Sequence, residues 1–403
     1  MRLILDGALD SATEEQLGVR LGVSARHLRR LFTSHLGVTP VGLARSARVH
    51  FARRLLDDTD LSMVEIALTT GFGSVRQFNR ACLEVFRASP RELRAKRRRS
   101  DRLVADGGLP LRLGFRGPLD WSAMVAYLAA RAIPGVEHVR GDTYRRTIVV
   151  AGHPGVLELF PGGDDHLVLV AHLPHWEELT HLAARARRIA NLDLDLDAPS
   201  GHLSGDPAIG PLLRARPGLR PLGTWDPFES GVRAIAGQHP SVAAANRTTG
   251  RLVERLGMPL PGLWQLGLTR TFPTATTVAG ADLDGLGLTR ARQNAIRAFA
   301  RAVADDEIRL DGSVSLDRLI ASITAIDGLG PWTAHHVALR LGERDAFPAT
   351  DLGLRRALAR QCPRSRTAPA KLGERWRPWR ALAATHLWIA GDERARLPRP
   401  RAT

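Results

Sequence analysis

One structural plan occurs twice in the first 95 residues. "TEEQLGVRLGVSARHLRRLF" and, about fifty residues later, "SMVEIALTTGFGSVRQFNRACLEVF" follow the same order. Each sets an apolar-periodic helix before a glycine turn (Gly22, Gly71), a serine cap (Ser24, Ser74) and a second helix studded with arginine. The stretch "VGLARSARVHFARRLL" joins the copies as a further helix. A helix, a short glycine-bearing turn and a basic second helix make the helix-turn-helix pattern, and duplication makes chance a poor explanation. Residues 1–95 are therefore predicted to be a double helix-turn-helix unit.

The charge balance agrees. Lysine and arginine total 57 against 41 acids, a net charge of +16 that favours a polyanionic partner. An arginine-rich genome would produce the same excess, so its distribution matters more. Residues 1–100 hold 18 basic and 10 acidic side chains, half the excess in a quarter of the chain. Only Cys82 and Cys362 are present, which excludes a disulfide framework, a cysteine zinc site and a four-cysteine iron–sulfur cluster. No metal site is expected. The chain has neither an N-terminal apolar segment flanked by charge nor a long apolar run, so export and membrane insertion are not expected and a cytoplasmic, nucleoid-associated protein is.

The texture then changes twice. "RAKRRRSDRLVADGG" reads as a basic linker over 96–108, its arginines free to touch phosphate or simply solvated. From 109 to 215, "RTIVVAGHPGVLELFPGGDDHLVLVAHL" alternates apolar runs with Gly/Pro/Asp turns between two amphipathic helices, an α+β block. Helices return from 216 to 403. The predicted fold class is multidomain and mainly α: a double helix-turn-helix, a central α+β domain and a C-terminal all-α domain.

Chemistry concentrates in "IDGLGPWTAHHVALRLGERDAFPATD", residues 326 to 351. Gly328-Leu329-Gly330 links a helix ending at Ile326 to one beginning near Pro331. A glycine turn running into a helix start leaves free N–H donors aimed outward, which suits a phosphate oxygen. The same turn is common in any helical hairpin. Asp351 opens the next helix, where an acid ordinarily serves as a cap.

Two resemblances add to these readings. "IALTTGFGSVRQFNRACLEVFRASPRELR" resembles the second half of an AraC-type DNA-binding domain, which implies that Ser24, Arg26, Arg29, Arg76 and Asn79 are groove readers. Residues 109 to 392 resemble the bacterial 3-methyladenine DNA glycosylase II family of helix-hairpin-helix enzymes, through "FESGVRAIAGQ", "LGLTRARQNAI", "GLGPWTAHHVALR", Asp351 and "RWRPWRALAATHLWIAGD". That resemblance implies a TATA-binding-protein-like central domain and a hairpin (Gly328, Leu329, Gly330) on DNA phosphate. It also implies Asp351 as the catalytic carboxylate, with Trp332, Trp388 and His336 around an extruded base and His239 where an apolar wedge usually stands. Pro240 departs from the pattern beside that wedge, and Asp327 places a negative charge where relatives often have proline.

The implied partner is double-stranded DNA with alkylated bases, promoter DNA being a second candidate. No cofactor is expected beyond a monovalent cation at the hairpin. Trp332 stands where strand-nicking relatives carry a nucleophilic lysine, so a monofunctional hydrolase is expected. Asp351 would stabilise an oxocarbenium ion or activate water. A lone carboxylate without an evident general acid suits leaving groups already weakened by positive charge, such as N-alkylated purines, whose rings indoles attract by about 1–2 kcal/mol. The alternative is a transcriptional regulator that uses the glycosylase body as a lesion sensor. A glycosylase/lyase for oxidised bases would need a nucleophile that Trp332 does not supply.

Overall fold

A computed structural model describes residues 2–5, 7–10, 12–95, 109–150, 152–173, 179–238, 241–260, 266–363 and 367–396. The linker assigned to 96–108 lies outside the described residues, as do His239 and Pro240.

The duplicated plan is present as expected. Helices Glu14–Leu21 and Ala25–Leu36 form one unit, Met63–Thr69 and Val75–Phe86 the other, and Pro40–Asp58 spans between them. Local chemistry sets their ends. Thr13 and Ser62 make reciprocal capping boxes with Gln16 and Glu65. Gly22 closes the first turn at φ 71°, a left-handed conformation that a side chain would strain. The first unit has a small core of its own around Leu17, Leu28 and Phe32.

The second unit has none to itself. Phe51, Leu55, Ile66 and Phe78 share one continuous apolar cluster with Leu111, Leu113 and Trp121 of the next domain. Polar contacts reinforce this docking: Arg20 pairs with Asp311, the Arg309 guanidinium donates to the Arg20 carbonyl (3.1 Å), and His181 pairs with Asp10 (2.6 Å). The helix-turn-helix module therefore packs on the rest of the protein, whatever path the 96–108 segment takes. Burial of several large side chains, each worth about 1.5–3 kcal/mol, outweighs anything a charged tether contributes.

The central block is a five-stranded antiparallel sheet: β1 (Leu109–Gly114), β2 (Glu137–Arg140), β3 (Thr143–Val150), β4 (His153–Pro161) and β5 (His166–His172), in the order β1-β5-β4-β3-β2. Leu111 opposes Leu169 across β1 and β5, and Arg145 opposes Glu158 across β3 and β4. Leu167 through Ala171 are all buried, so β5 is covered on both faces. Helices Trp121–Arg131 and Leu179–Ile189 contribute Met124, Leu182 and Ala186 to the same core.

The helical part holds a larger core centred on Phe299, Trp376 and Leu387. Its border with the sheet is not the simple cut drawn near residue 215. Leu203, Ile209 and Leu213, which precede that cut, pack into the helical core, whereas Leu219, Leu222 and Trp225, which follow it, pack against the sheet cluster. The crossing segment is clamped by the buried Arg220 guanidinium, which donates to the carbonyls of Asn191, Leu192, Leu194 and Arg116. Hydrogen bonding to carbonyls in place of an ion pair lets the five N–H donors of an arginine organise irregular chain without a buried carboxylate.

His386, on the last helix Arg380–Arg396, is 2% exposed. Burial pulls its pKa down to about 4; Asp120 opposes this and Arg216 adds to it. The folded state thus keeps His386 neutral while the unfolded chain takes up a proton below about pH 6.5. Its contribution is fully present above that value and is lost as pH falls, reaching roughly 3 kcal/mol by pH 4. Denaturant midpoints measured between pH 7 and pH 4 are expected to fall accordingly, and His386→Gln should flatten that slope.

Candidate active site and nucleic-acid interface

Helix Leu316–Thr324 leads through the glycine turn to helix Pro331–Arg340. Gly328 sits at φ 83°, where glycine is favoured. Leu329 is buried and its N–H donates to the Ile326 carbonyl (3.0 Å), which pins the turn to the core. Gly330 is the helix N-cap, extended and without a side-chain cap, and a Cβ there would meet no atom within 4 Å. Nothing among the described residues requires glycine at 330; close approach of an outside group to this backbone would. Asp327 is exposed at the turn.

Beyond helix Pro331–Arg340 and the loop that follows it, Asp351 caps helix Leu352–Gln361, its Oδ1 accepting from the Leu354 N–H at 2.8 Å. The cap role anticipated for an isolated acid is real but incomplete. Oδ1 also accepts from the Trp388 indole N–H and Oδ2 from that of Trp332, both at 2.9 Å. Three N–H donors fix the carboxylate, and an ionised carboxylate offers about four acceptor positions, so capacity remains on Oδ2. Indole N–H groups have no other polar function, which makes each an orienting strut for Asp351.

His336 completes the aromatic wall. Its ring lies on Trp332 (centroids 5.4 Å apart, 24° between planes) and is tilted against Trp388 (5.8 Å, 58°). Burial, followed by the charges of Arg340, Arg131 and Arg233, pushes its pKa well below the ordinary histidine value. The neighbouring His335 is packed rather than presented: its Nδ1 accepts from the Phe347 N–H at 3.3 Å.

These side chains line a cleft of about 420 Å³ between the sheet and the helical part. The volume lies within the usual range of ligand pockets, about 300–1,000 Å³. Its opposite wall holds a buried ion network. Arg146 of β3 pairs with Glu229 of helix Pro227–Ala236 (2.6 Å), Arg233 reaches Glu137 of β2 (3.1 Å), and the Tyr144 hydroxyl donates to Glu137 (2.6 Å). Burial opposes the charge on Glu137, but Arg233, Arg146 and the Tyr144 hydroxyl outweigh it and hold the carboxyl below the usual glutamate range.

Of the residues singled out in the sequence, Asp351, Trp332, Trp388 and His336 meet at one place, with the hairpin at the start of the helix that carries two of them. His239 lies outside the described residues. Its neighbour Gln238 connects the same loop to the hairpin, donating from its carboxamide to Thr333 Oγ1 (3.1 Å) and the Gly328 carbonyl (3.4 Å). Among the residues read as groove contacts, Arg26, Arg76 and Asn79 are exposed on their helices. Ser24 is a helix cap, and Arg29 is engaged with Glu14.

The sequence reading did not single out Gly353, Arg340 or the ion network. Gly353 carries a recognisable signal, a glycine in the first turn after the capping aspartate. A Cβ there would lie 3.0 Å from Asp351 Oδ1 and 3.5 Å from the Trp388 ring. The network had no local signal, since its partners are separated by up to 96 residues.

Three family descriptions match successive parts of the chain: a helix-turn-helix domain at residues 17–96, the AlkA N-terminal domain at 110–226, and the HhH-GPD superfamily of base excision DNA repair proteins at 232–380. Among curated proteins, the "probable bifunctional transcriptional activator/DNA repair enzyme AlkA" of Mycobacterium tuberculosis is 38% identical over 392 residues, 96% of this chain and 79% of that protein. The "DNA-3-methyladenine glycosylase 2" of Escherichia coli is 32% identical over 280 residues, 68% of this chain and 95% of its own. In fold, the 3-methyladenine DNA glycosylase from Archaeoglobus fulgidus superposes with a TM-score of 0.61 at 21% identity, covering 71% of this chain and 99% of that one. With a hairpin, a cleft and a carboxylate held by two indoles already in place, the chain belongs to the AlkA family of DNA-3-methyladenine glycosylases and carries an AraC-type helix-turn-helix domain in front of the glycosylase body.

Proposed function

We propose that the cleft receives an N-alkylated purine rotated out of duplex DNA and that Asp351 drives hydrolysis of its glycosidic bond. The observation carrying this reading is the pair of indole N–H bonds that hold the Asp351 carboxylate in the wall of the cleft. Both tryptophans are thereby fixed edge-on to the acid, leaving ring surface for a cationic base. Loss of a neutral purine from such a base needs little acid assistance. The positive charge that remains develops on the sugar, where a fixed carboxylate stabilises it. Water then closes the sugar and yields an abasic site.

The hairpin would grip a phosphate beside the extruded nucleotide through the open backbone at Gly330. The loop of Gln238 and His239 would fill the vacated stack, with Gln238 tying its movement to the hairpin. The chain has two lysines, Lys96 and Lys371. Lys371 is not among the residues that line the cleft, and Trp332 has no amine. A Schiff-base lyase step is therefore excluded from the proposal. The scheme uses water and protein side chains and requires no cofactor.

The helix-turn-helix module supports a second activity, sequence-selective binding of promoter DNA, through exposed Arg26, Arg76 and Asn79. No helix among the described residues is long and apolar enough to cross a membrane. The net charge of +16 favours a polyanionic partner such as DNA.

The decisive test is incubation with DNA treated with a methylating agent. Release of 3-methyladenine is expected, with the strand intact until alkali cleaves the abasic site. Promoter binding without base release would leave the module as a regulator built on an inactive body, and borohydride trapping of a covalent adduct would replace hydrolysis by a lyase mechanism.

A further inference from the structure

The hairpin and the helix-turn-helix module stand at opposite ends of one set of helices, Pro227–Ala236, Arg290–Ala304 and Pro331–Arg340. One end of each helix gathers at the hairpin. Pro331–Arg340 starts from it, and Gln238, just past the end of Pro227–Ala236, donates to Thr333 and to the Gly328 carbonyl. Arg292, in the first turn of Arg290–Ala304, donates to the Gln238 carbonyl. The other ends gather at the module. Phe228, Val303 and Arg340 line one cavity of about 390 Å³ together with Arg20 and Arg309. There Arg20 pairs with Asp311, and its carbonyl accepts from the Arg309 guanidinium. Helices of 10 and 15 residues separate the two ends by about 15–22 Å.

The two DNA-facing surfaces also point in different directions. The free N–H groups at the start of Pro331–Arg340 are directed along its axis, away from the end that carries Arg340. A phosphate held by them lies on the far side of the body from Arg20. In the module, helix Val75–Phe86 turns Phe78, Ala81 and Cys82 inward, into the apolar cluster shared with the sheet. Exposed Arg76 and Asn79 therefore stand on the side of that helix turned from the body, and Arg26 is exposed on the first unit. The shared cluster, with the Arg20–Asp311 and His181–Asp10 pairs, holds the module in this orientation.

A single duplex could touch both surfaces only by turning back around the body, and duplex DNA is stiff over about 150 base pairs. A second duplex meets no such resistance. A net charge of +16 offsets part of the repulsion between two polyanions brought this close.

We propose that one chain holds two DNA segments at once and bridges them, a damaged duplex at the hairpin and cleft and a second duplex on Arg26, Arg76 and Asn79. The inference rests on the reading that the hairpin and the module each bind DNA. The module then anchors the protein to one stretch of DNA while the cleft works on another.

The test uses the full chain on beads that carry a short duplex with a tetrahydrofuran abasic-site analogue, which stands for the product of the proposed reaction. After washing, labelled undamaged fragments of sheared bacterial genomic DNA are added. The bound chain should retain fragments while the bead duplex stays occupied. A combined Arg26→Ala, Arg76→Ala, Asn79→Ala variant should capture fewer fragments by about tenfold or more. Capture is counted per chain on the beads, so misfolded protein does not enter the comparison. Sedimentation of wild type with the abasic duplex and a recovered fragment should give one chain with one of each. Fragments that strip the chain from the beads overturn the proposal, as do equal capture by wild type and variant and complexes that need two chains. A chain that holds the abasic duplex but captures no fragment overturns it and leaves the reading of the cleft intact. Failure to hold the abasic duplex removes that reading itself, and this inference with it.

Discussion

Replacing Asp351 by asparagine is expected to slow release of 3-methyladenine by about 10²- to 10³-fold, the usual loss when one preorganised electrostatic stabiliser is removed. The change is nearly isosteric, yet it alters two things. The charge that would face the developing sugar cation disappears, and the amide cannot accept from both indoles and the Leu354 N–H as the carboxylate does. Affinity for duplex DNA should hardly move, because phosphate contacts dominate it and none runs through Asp351 in this scheme. Measuring single-turnover release and binding side by side separates the two. Undiminished release by the variant would refute the catalytic role of Asp351, and loss of binding in proportion would recast it as a folding residue.

Glu229→Ala is expected to destabilise the protein by about 3–5 kcal/mol, the cost of breaking a buried ion pair from one side. Glu229 is fully buried, and its loss leaves two arginines, Arg146 (itself 2% exposed) and Arg233, with Glu137 as their one remaining carboxylate among the described residues. The cleft wall opposite Asp351 is built on these bonds, so the denaturant midpoint and base release should fall together. Removing both partners tests the cause. A Glu229→Leu, Arg146→Met double variant leaves no stranded charge between them and should recover most of the lost stability, since apolar replacement of a whole buried pair is often close to neutral. Equal destabilisation of single and double variants would show that packing volume rather than charge is what Glu229 supplies.

The two predictions bear on different kinds of residue, and the sequence treated them differently. Asp351 was visible because its role as a cap is local and its spacing from the hairpin matches a family pattern. Glu229 was not, although it lies in "DPFESGV", a run quoted for the resemblance. An acid in the first turn of a helix reads as an ordinary dipole partner, and its burial against β3 comes from an element 83 residues earlier. Ser24 and Arg29 divide in the same way: the cap role of Ser24 is local and legible in the sequence, whereas the pairing of Arg29 with Glu14, from the preceding helix, is not.

The sequence by itself determined the duplicated helical plan, the change to strands at β1, the glycine hairpin and the helix that Asp351 begins. Caps, periodicity and turn chemistry act over a few residues, so they can be read from a few residues. Trp388 meeting an acid 37 positions away was anticipated only through the family likeness, since no local rule requires it. The tertiary structure alone decided that the helix-turn-helix module shares a core with the sheet, that segments on either side of residue 215 exchange places, and that the Arg340 guanidinium ends on the Leu222 carbonyl and the Tyr127 hydroxyl. Those outcomes depend on which apolar surfaces find one another and which charges lose water as they do, and both are properties of the packed chain as a whole.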